Sequence, residues 1–110
     1  MAKLKGHRPP PGVNAGLAER MAKLQDEMKN VHEQLAQERL TVSAGGEAVR
    51  IVIDGAQRIH AVHIAPEVLA DREMLQDLLV VAFNTAMEQS QTLASQRLQG
   101  LNNMLGLPGM

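Results

Sequence analysis

The stretch from Arg39 to Asp54, RLTVSAGGEAVRIVID, decides how this chain folds. Its first six residues, Arg39-Leu40-Thr41-Val42-Ser43-Ala44, are β-prone and run into Gly45-Gly46, a pair that favours a hairpin turn. From Glu47 to Asp54 the residues alternate. Val49, Ile51 and Ile53 point one way, while Arg50 and Asp54 share the opposite face with Ala48 and Val52. Gly55 opens a second turn, and a third strand follows over about Arg58 to Ile64. There Val62 and Ile64 fall on one parity and Ile59 on the other, which calls for either a bulge or burial on both faces. Three strands joined by tight turns make an antiparallel meander, and one of its faces needs a cover.

Working outward, the residues before the sheet keep a different period. Leu17, Met21, Leu24, Met28, Val31 and Leu35 are spaced 4, 3, 4, 3 and 4 apart, an unbroken heptad seam. The seam predicts a helix from about Ala15 to Glu38, roughly 36 Å long. A stripe that narrow suits another helix better than a sheet. Its partner is either the same helix of a second chain, the reading favoured here, or the second helix of this one. Ahead of it, residues 1–14 read as a basic, flexible arm, because Pro9-Pro10-Pro11-Gly12 holds the chain extended; Asn14 suits an N-cap.

After the sheet, Pro66 permits a short helical turn and Asp71 suits the N-cap of a second long helix reaching about Leu98. Met74, Leu75, Leu78, Leu79, Val81, Ala82, Phe83, Ala86 and Met87 give its first half a broad apolar surface. Such a surface covers a sheet and leaves area for a partner, so Leu78, Leu79, Ala82 and Phe83 join the heptad residues as candidates for the core and dimer seam. Gly100 reads as a C-cap, and residues 100–110 as a loose apolar tail. The expected fold is α+β, ordered α-β-β-β-α, with a structured domain over residues 15–99.

Composition excludes several functions. Phe83 is the one aromatic residue, so stacking on unpaired bases is not available as a binding mode. There is no cysteine, hence no disulfide, thiolate nucleophile or cysteine-based zinc site. The N-terminus has no apolar signal region, and no run approaches the ~20 apolar residues of a membrane span, so a cytoplasmic location is expected. His60 and His63, three apart on one strand, are expected on opposite faces and unable to hold one metal together. No nucleophile elbow, phosphate-binding loop or dinucleotide fingerprint occurs. An enzyme is therefore not expected, nor a cofactor, a metal or a small-molecule substrate.

The net charge is −1, unevenly spread. Residues 1–16 carry +3, residues 17–38 carry −2, residues 39–64 carry +1 and residues 65–110 carry −3. Any phosphate binding must come from a local patch. The candidates are Lys3, Lys5 and Arg8 on the arm, Arg20, Lys23 and Lys29 off the seam of the first helix, and Arg97 on the second. Arg50 and Arg58 are expected on strands, on faces the pattern does not place.

These residues also resemble a known family. The order α-β-β-β-α, together with Leu24-Gln25-Asp26-Glu27-Met28, Ile51-Val52-Ile53-Asp54-Gly55-Ala56 and Val62-His63-Ile64-Ala65-Pro66-Glu67, is similar to the YbaB/EbfC family of bacterial nucleoid-associated proteins. So are Glu73-Met74-Leu75-Gln76-Asp77-Leu78-Leu79, Ala82-Phe83-Asn84-Thr85-Ala86 and the ending Gly100-Leu101 to Leu107-Pro108-Gly109. The resemblance spans roughly residues 17–109. It implies an intertwined homodimer whose helical arms grip double-stranded DNA, with weak sequence preference and roles in nucleoid organisation and gene regulation. Three departures stand out. Ala65 occupies a position where the family commonly has Asp, the first hairpin is shorter than in some relatives, and the second helix offers no positive charge between Met87 and Gln96. If DNA is bound, the basic arm from Lys3 to Arg8 is expected to supply what that helix lacks. The competing reading is a protein–protein adaptor that uses the heptad helix and no DNA.

Overall fold

A computed structural model describes residues 15–104. Helix α1 spans Ala15–Gln37, strands β1, β2 and β3 span Arg39–Ala44, Val49–Asp54 and Ile59–Ile64, a 3₁₀ turn spans Pro66–Ala70, and helix α2 spans Arg72–Met104. The α-β-β-β-α order expected from the sequence is therefore the observed one. The strands lie in the order β1-β2-β3, both neighbouring pairs antiparallel.

The hairpin between β1 and β2 is looser than the glycine pair suggested. Ala44 pairs with Val49, so four residues make the connection and Glu47 and Ala48 belong to the turn. Gly45 and Gly46 both take left-handed backbone (φ 63° and 73°), a conformation that suits glycine.

Strand β3 settles the parity question. The register runs Val52 with Ala61 and then Ile53 with Ile59, leaving His60 as the extra residue of a β-bulge. One added residue restores the alternation, and Ile59, Val62 and Ile64 all come to lie opposite Ile53, Ile51 and Val49 on one face. Mixed parity in the sequence was thus a bulge and not burial on two sides.

That face is covered unevenly. Helix α2 lies across β1 and β2, enclosing Val42, Ala44, Val49, Ile51, Ile53, Ala82 and Ala86, with Leu75, Leu78, Leu79 and Phe83 packed around them. Strand β3 falls largely outside this footprint, and its three apolar residues are 36–41% exposed. Asp71 caps α2 as anticipated: its Oδ1 accepts the Met74 N–H at 3.1 Å.

Two expectations need correction. Gly100 does not end α2, which continues to Met104, and Leu101 is buried; the proposed loose tail is helical over its first five residues. The stop signal is overridden because Leu101 packs toward α1, beside Val31 in the cleft between the helices. The heptad seam, in turn, is divided. Leu35 is buried at the junction of α1 with β2, and Val31 faces α2 of the same chain, whereas Met21 and Met28 remain exposed. The chain reversal through the sheet brings the distal half of α2 alongside the end of α1, so the inner third of the seam is taken within the chain. The junction is close: Gly55 N–H donates to the Leu35 carbonyl at 2.8 Å, and a Cβ on Gly55 would stand 2.9 Å from that oxygen.

The result is elongated, with extents of 71 × 36 × 20 Å. Its radius of gyration is 21.9 Å, against about 13 Å for a compact chain of this length.

Candidate nucleic-acid interface

Asn14, the basic arm with Lys3, Lys5 and Arg8, and residues 105–110 lie outside the described residues. The remaining basic candidates fall into two places, one on each helix. Arg20, Lys23 and Lys29 are exposed on α1, where Glu19, Asp26 and Glu33 are exposed among them. Arg97 is not a free cation: its guanidinium is ion-paired with Glu38, where α2 passes the end of α1. A half-buried surface pair of this kind contributes little to stability, but it neutralises the one basic side chain in the distal half of α2. The structure therefore does not gather the helical cations into a single patch.

The sheet does better. Arg39, Thr41 and Ser43 of β1, Arg50 and Val52 of β2, and Ala61 and His63 of β3 share the face turned away from α2. Arg50 stands directly between Ser43 and His63 in the register and is exposed, as are both neighbours. The unplaced arginine of the strand pattern is thus at the centre of an open polar surface.

One carboxylate of the same parity is withdrawn from it. Asp54 is buried, its Oδ1 accepting the N–H groups of Ala56 (2.7 Å) and Arg58 (3.0 Å), while Oδ2 takes the His60 ring Nε2 at 2.8 Å. Burial pushes its pKa up, but the bonds from His60, Arg58 and Ala56, with the charge of His60, outweigh it and hold the carboxyl below its ordinary range. The bulge that carries His60 to Asp54 also removes the strict alternation on which the separation of His60 from His63 rested. Among the described residues, no group of three or more His, Cys, Asp or Glu is arranged to hold a metal ion.

Ser90 completes this corner, and the sequence pattern did not single it out. Fully buried, its Oγ donates to the Asp54 carbonyl at 2.6 Å and accepts from the Gln57 backbone N–H and side-chain amide at 3.1 and 3.0 Å. Those bonds hold Gln57 in left-handed backbone (φ 63°), unusual for a residue other than glycine. A signal existed: Ser90 continues the buried stripe four residues after Ala86. The β2–β3 turn is therefore pinned to α2.

No helix is long and apolar enough to cross a membrane among the described residues. The cleft between α1 and α2, about 570 Å³, is open and lined mostly by polar side chains such as Asn30, Gln34, Gln37 and Gln96.

A profile of the YbaB/EbfC DNA-binding family matches residues 12–105, nearly the whole chain. The chain belongs to the YbaB/EbfC DNA-binding family. It is 34% identical to a nucleoid-associated protein of Pelotomaculum thermopropionicum over 101 residues, 90% of this chain and 96% of that one. It is 40% identical to a nucleoid-associated protein of Chloroflexus aurantiacus over 89 residues, covering 79% and 87% of the two chains. A nucleoid-associated protein of Xylella fastidiosa is 33% identical over 97 residues, 88% of this chain and 91% of its own. The fold also matches a crystal structure of an uncharacterized protein of Helicobacter pylori with a TM-score of 0.72 and 22% identity, over 86% of this chain and 99% of that one. The family resemblance read from the sequence is the one these comparisons return, and the departure at Ala65 has a structural counterpart. Ala65 is the N-cap of the 3₁₀ turn, with no side chain able to cap it.

Proposed function

We propose that this YbaB/EbfC member is a homodimeric, non-catalytic protein of the bacterial nucleoid. It binds duplex DNA with little sequence specificity, mainly through phosphates, and contributes to nucleoid organisation and gene regulation. The observation that carries this reading is the family match along nearly the full chain, joined by relatives named as nucleoid-associated proteins. Phosphate contact is favoured over base stacking because Phe83, the sole aromatic residue, packs on the core side of the sheet.

Dimerisation is supported by the uncovered part of the sheet. Ile59, Val62 and Ile64 of β3 are exposed on the face that α2 shelters elsewhere. On α2, Val80, Phe83 and Met87 follow at helical spacing along the flank that leads to Ser90 and the β2–β3 turn. A second copy seated there would enclose both apolar strips at once, which an elongated chain of this size cannot do alone.

The reading is tested by fluorescence anisotropy of a labelled random-sequence duplex at several salt concentrations, with sedimentation for subunit number. Dimers whose affinity falls steeply with salt are expected, since released counterions demand it. The adaptor reading has one observation in its favour, the exposed Met21 and Met28 on a helix whose charges nearly cancel. An absence of duplex binding at low salt would favour it.

A further inference from the structure

The helical arms are poor places for phosphate to land. Across residues 15–38 three bases face five acids, and of the two bases of α2, Arg72 stands at its start between Asp71 and Glu73 in the sequence while Arg97 is paired with Glu38. The face of the sheet turned away from α2 has the opposite balance. Arg39, Arg50 and His63 lie on it, and the carboxylate that shares its parity, Asp54, is buried with both oxygens engaged. Arg50 forms no ion pair among the described residues, although Glu47 of the turn lines the same shallow depression.

We propose that this open sheet face is a phosphate-binding surface for duplex DNA, centred on Arg50 between Ser43 and His63, with Arg39 and Arg58 at its far end. The inference rests on the DNA-binding reading above and adds the surface that performs it. Arg50 supplies a fixed positive charge and several N–H donors, and the flanking Ser43 hydroxyl and His63 ring can donate to the same oxyanion. Arg39 is partly engaged, its Nη1 donating to the carbonyls of Ala36 and Glu38, but its side chain stays exposed at the end of β1. Arg58 is exposed in the turn that closes β2 on β3. A rise of ~3.3 Å per residue sets the Arg39 and Arg58 end roughly 13 Å from Arg50, so the two ends meet different phosphates. That is close to the ~12 Å width of a major groove. No Phe, Tyr or Trp lies on this face, which suits a duplex backbone rather than unstacked bases. The apolar strip proposed for the dimer lies on the other side of the sheet, so both surfaces can be occupied together.

The test compares full-length wild type with Arg50→Gln, Arg50→Lys and the triple variant Arg20→Gln, Lys23→Gln, Lys29→Gln, on a labelled random duplex across a salt series. For Arg50→Gln the expected result is a roughly ten-fold loss of affinity at 0.1 M salt for each contact removed. The log–log salt slope should fall by about 0.9 per protomer. Arg50→Lys keeps most of the affinity and the slope, and the triple variant loses less than Arg50→Gln. An unchanged thermal midpoint for Arg50→Gln separates a lost contact from a damaged fold. Wild-type binding that Arg50→Gln leaves intact in affinity and slope overturns the sheet-face assignment and leaves the DNA reading standing. A wild type that does not bind the duplex at low salt overturns both.

Discussion

Strands β2 and β3 carry nearly the same apolar side chains on the same face, and only one of them is buried. Val49, Ile51 and Ile53 are fully enclosed, while their register partners Ile64, Val62 and Ile59 are 36%, 41% and 39% exposed. Residue type does not distinguish them. The difference is the position of α2, which is wide enough to cover two strands and leaves the third exposed. A strand of Ile, Val and Ile left open at a sheet edge is a liability unless something covers it. The contrast therefore separates the apolar surface the chain covers by itself from the strip it leaves open, the one proposed above for a second copy.

The sharpest probe of that contrast is a matched pair of truncations across one register position. Ile51→Ala should cost about 3–4 kcal/mol, because it removes three carbons from a fully enclosed site. Val62→Ala, directly opposite, should cost below about 1 kcal/mol in dilute monomer and more where a partner covers it. Chemical denaturation at two protein concentrations reads both values, and equal costs that do not vary with concentration would show that the two strands do not differ in this way.

Next in size is the pin joining β2 to β3. Asp54→Ala leaves the N–H groups of Ala56 and Arg58 and the His60 ring without their acceptor, an expected loss of roughly 3 kcal/mol. The same group predicts a pH dependence. Because its folded pKa is lowered, its stabilising contribution is complete above the ordinary aspartate value of ~3.9 and is lost as pH falls through the folded one. Wild-type thermal midpoints should therefore drop below about pH 4. Asp54→Asn, which keeps an acceptor for the backbone donors, should start lower and lack that component of the slope. Parallel slopes would show that the pair contributes nothing.

A smaller effect is expected when a charge is placed on the uncovered strip. Val62→Lys should leave the monomer folded, since the site is open, yet weaken self-association by at least ten-fold, about 1.4 kcal/mol. Sedimentation equilibrium reads it, and an unaltered dimer would move the interface away from β3. The smallest change is a gain. Ala65→Asp supplies the missing N-cap of the 3₁₀ turn, where the backbone is already extended at φ −65° and ψ 138°. A stabilisation of about 0.5–1 kcal/mol is expected, measured as a raised thermal midpoint. No gain would mean that the turn is held by Pro66 and the burial of Val68 alone.

Several of these features are legible in the sequence. The heptad spacing located α1 to within one residue, the alternation from Val49 to Ile53 named the buried face of β2, and Asp71 marked the start of α2. The candidate site was less legible. Arg50 was visible as an alternating residue, but its exposure depended on which face α2 chose, and Arg97 gave no sign that Glu38 would take it.

The order and type of the elements are written in the amino-acid sequence, because period, turn residues and caps act over a few neighbouring positions. The sequence also determined the family, through motifs spread over roughly residues 17–109, a span that largely coincides with the family match at residues 12–105. Tertiary structure alone decided which of two equally apolar strands is enclosed, that His60 occupies a bulge, that Ser90 ties α2 to the β2–β3 turn, and that α2 passes Gly100. Each of these depends on groups brought together from distant parts of the chain. Burial, register and ion pairing are properties of such contacts, and local patterns do not contain them.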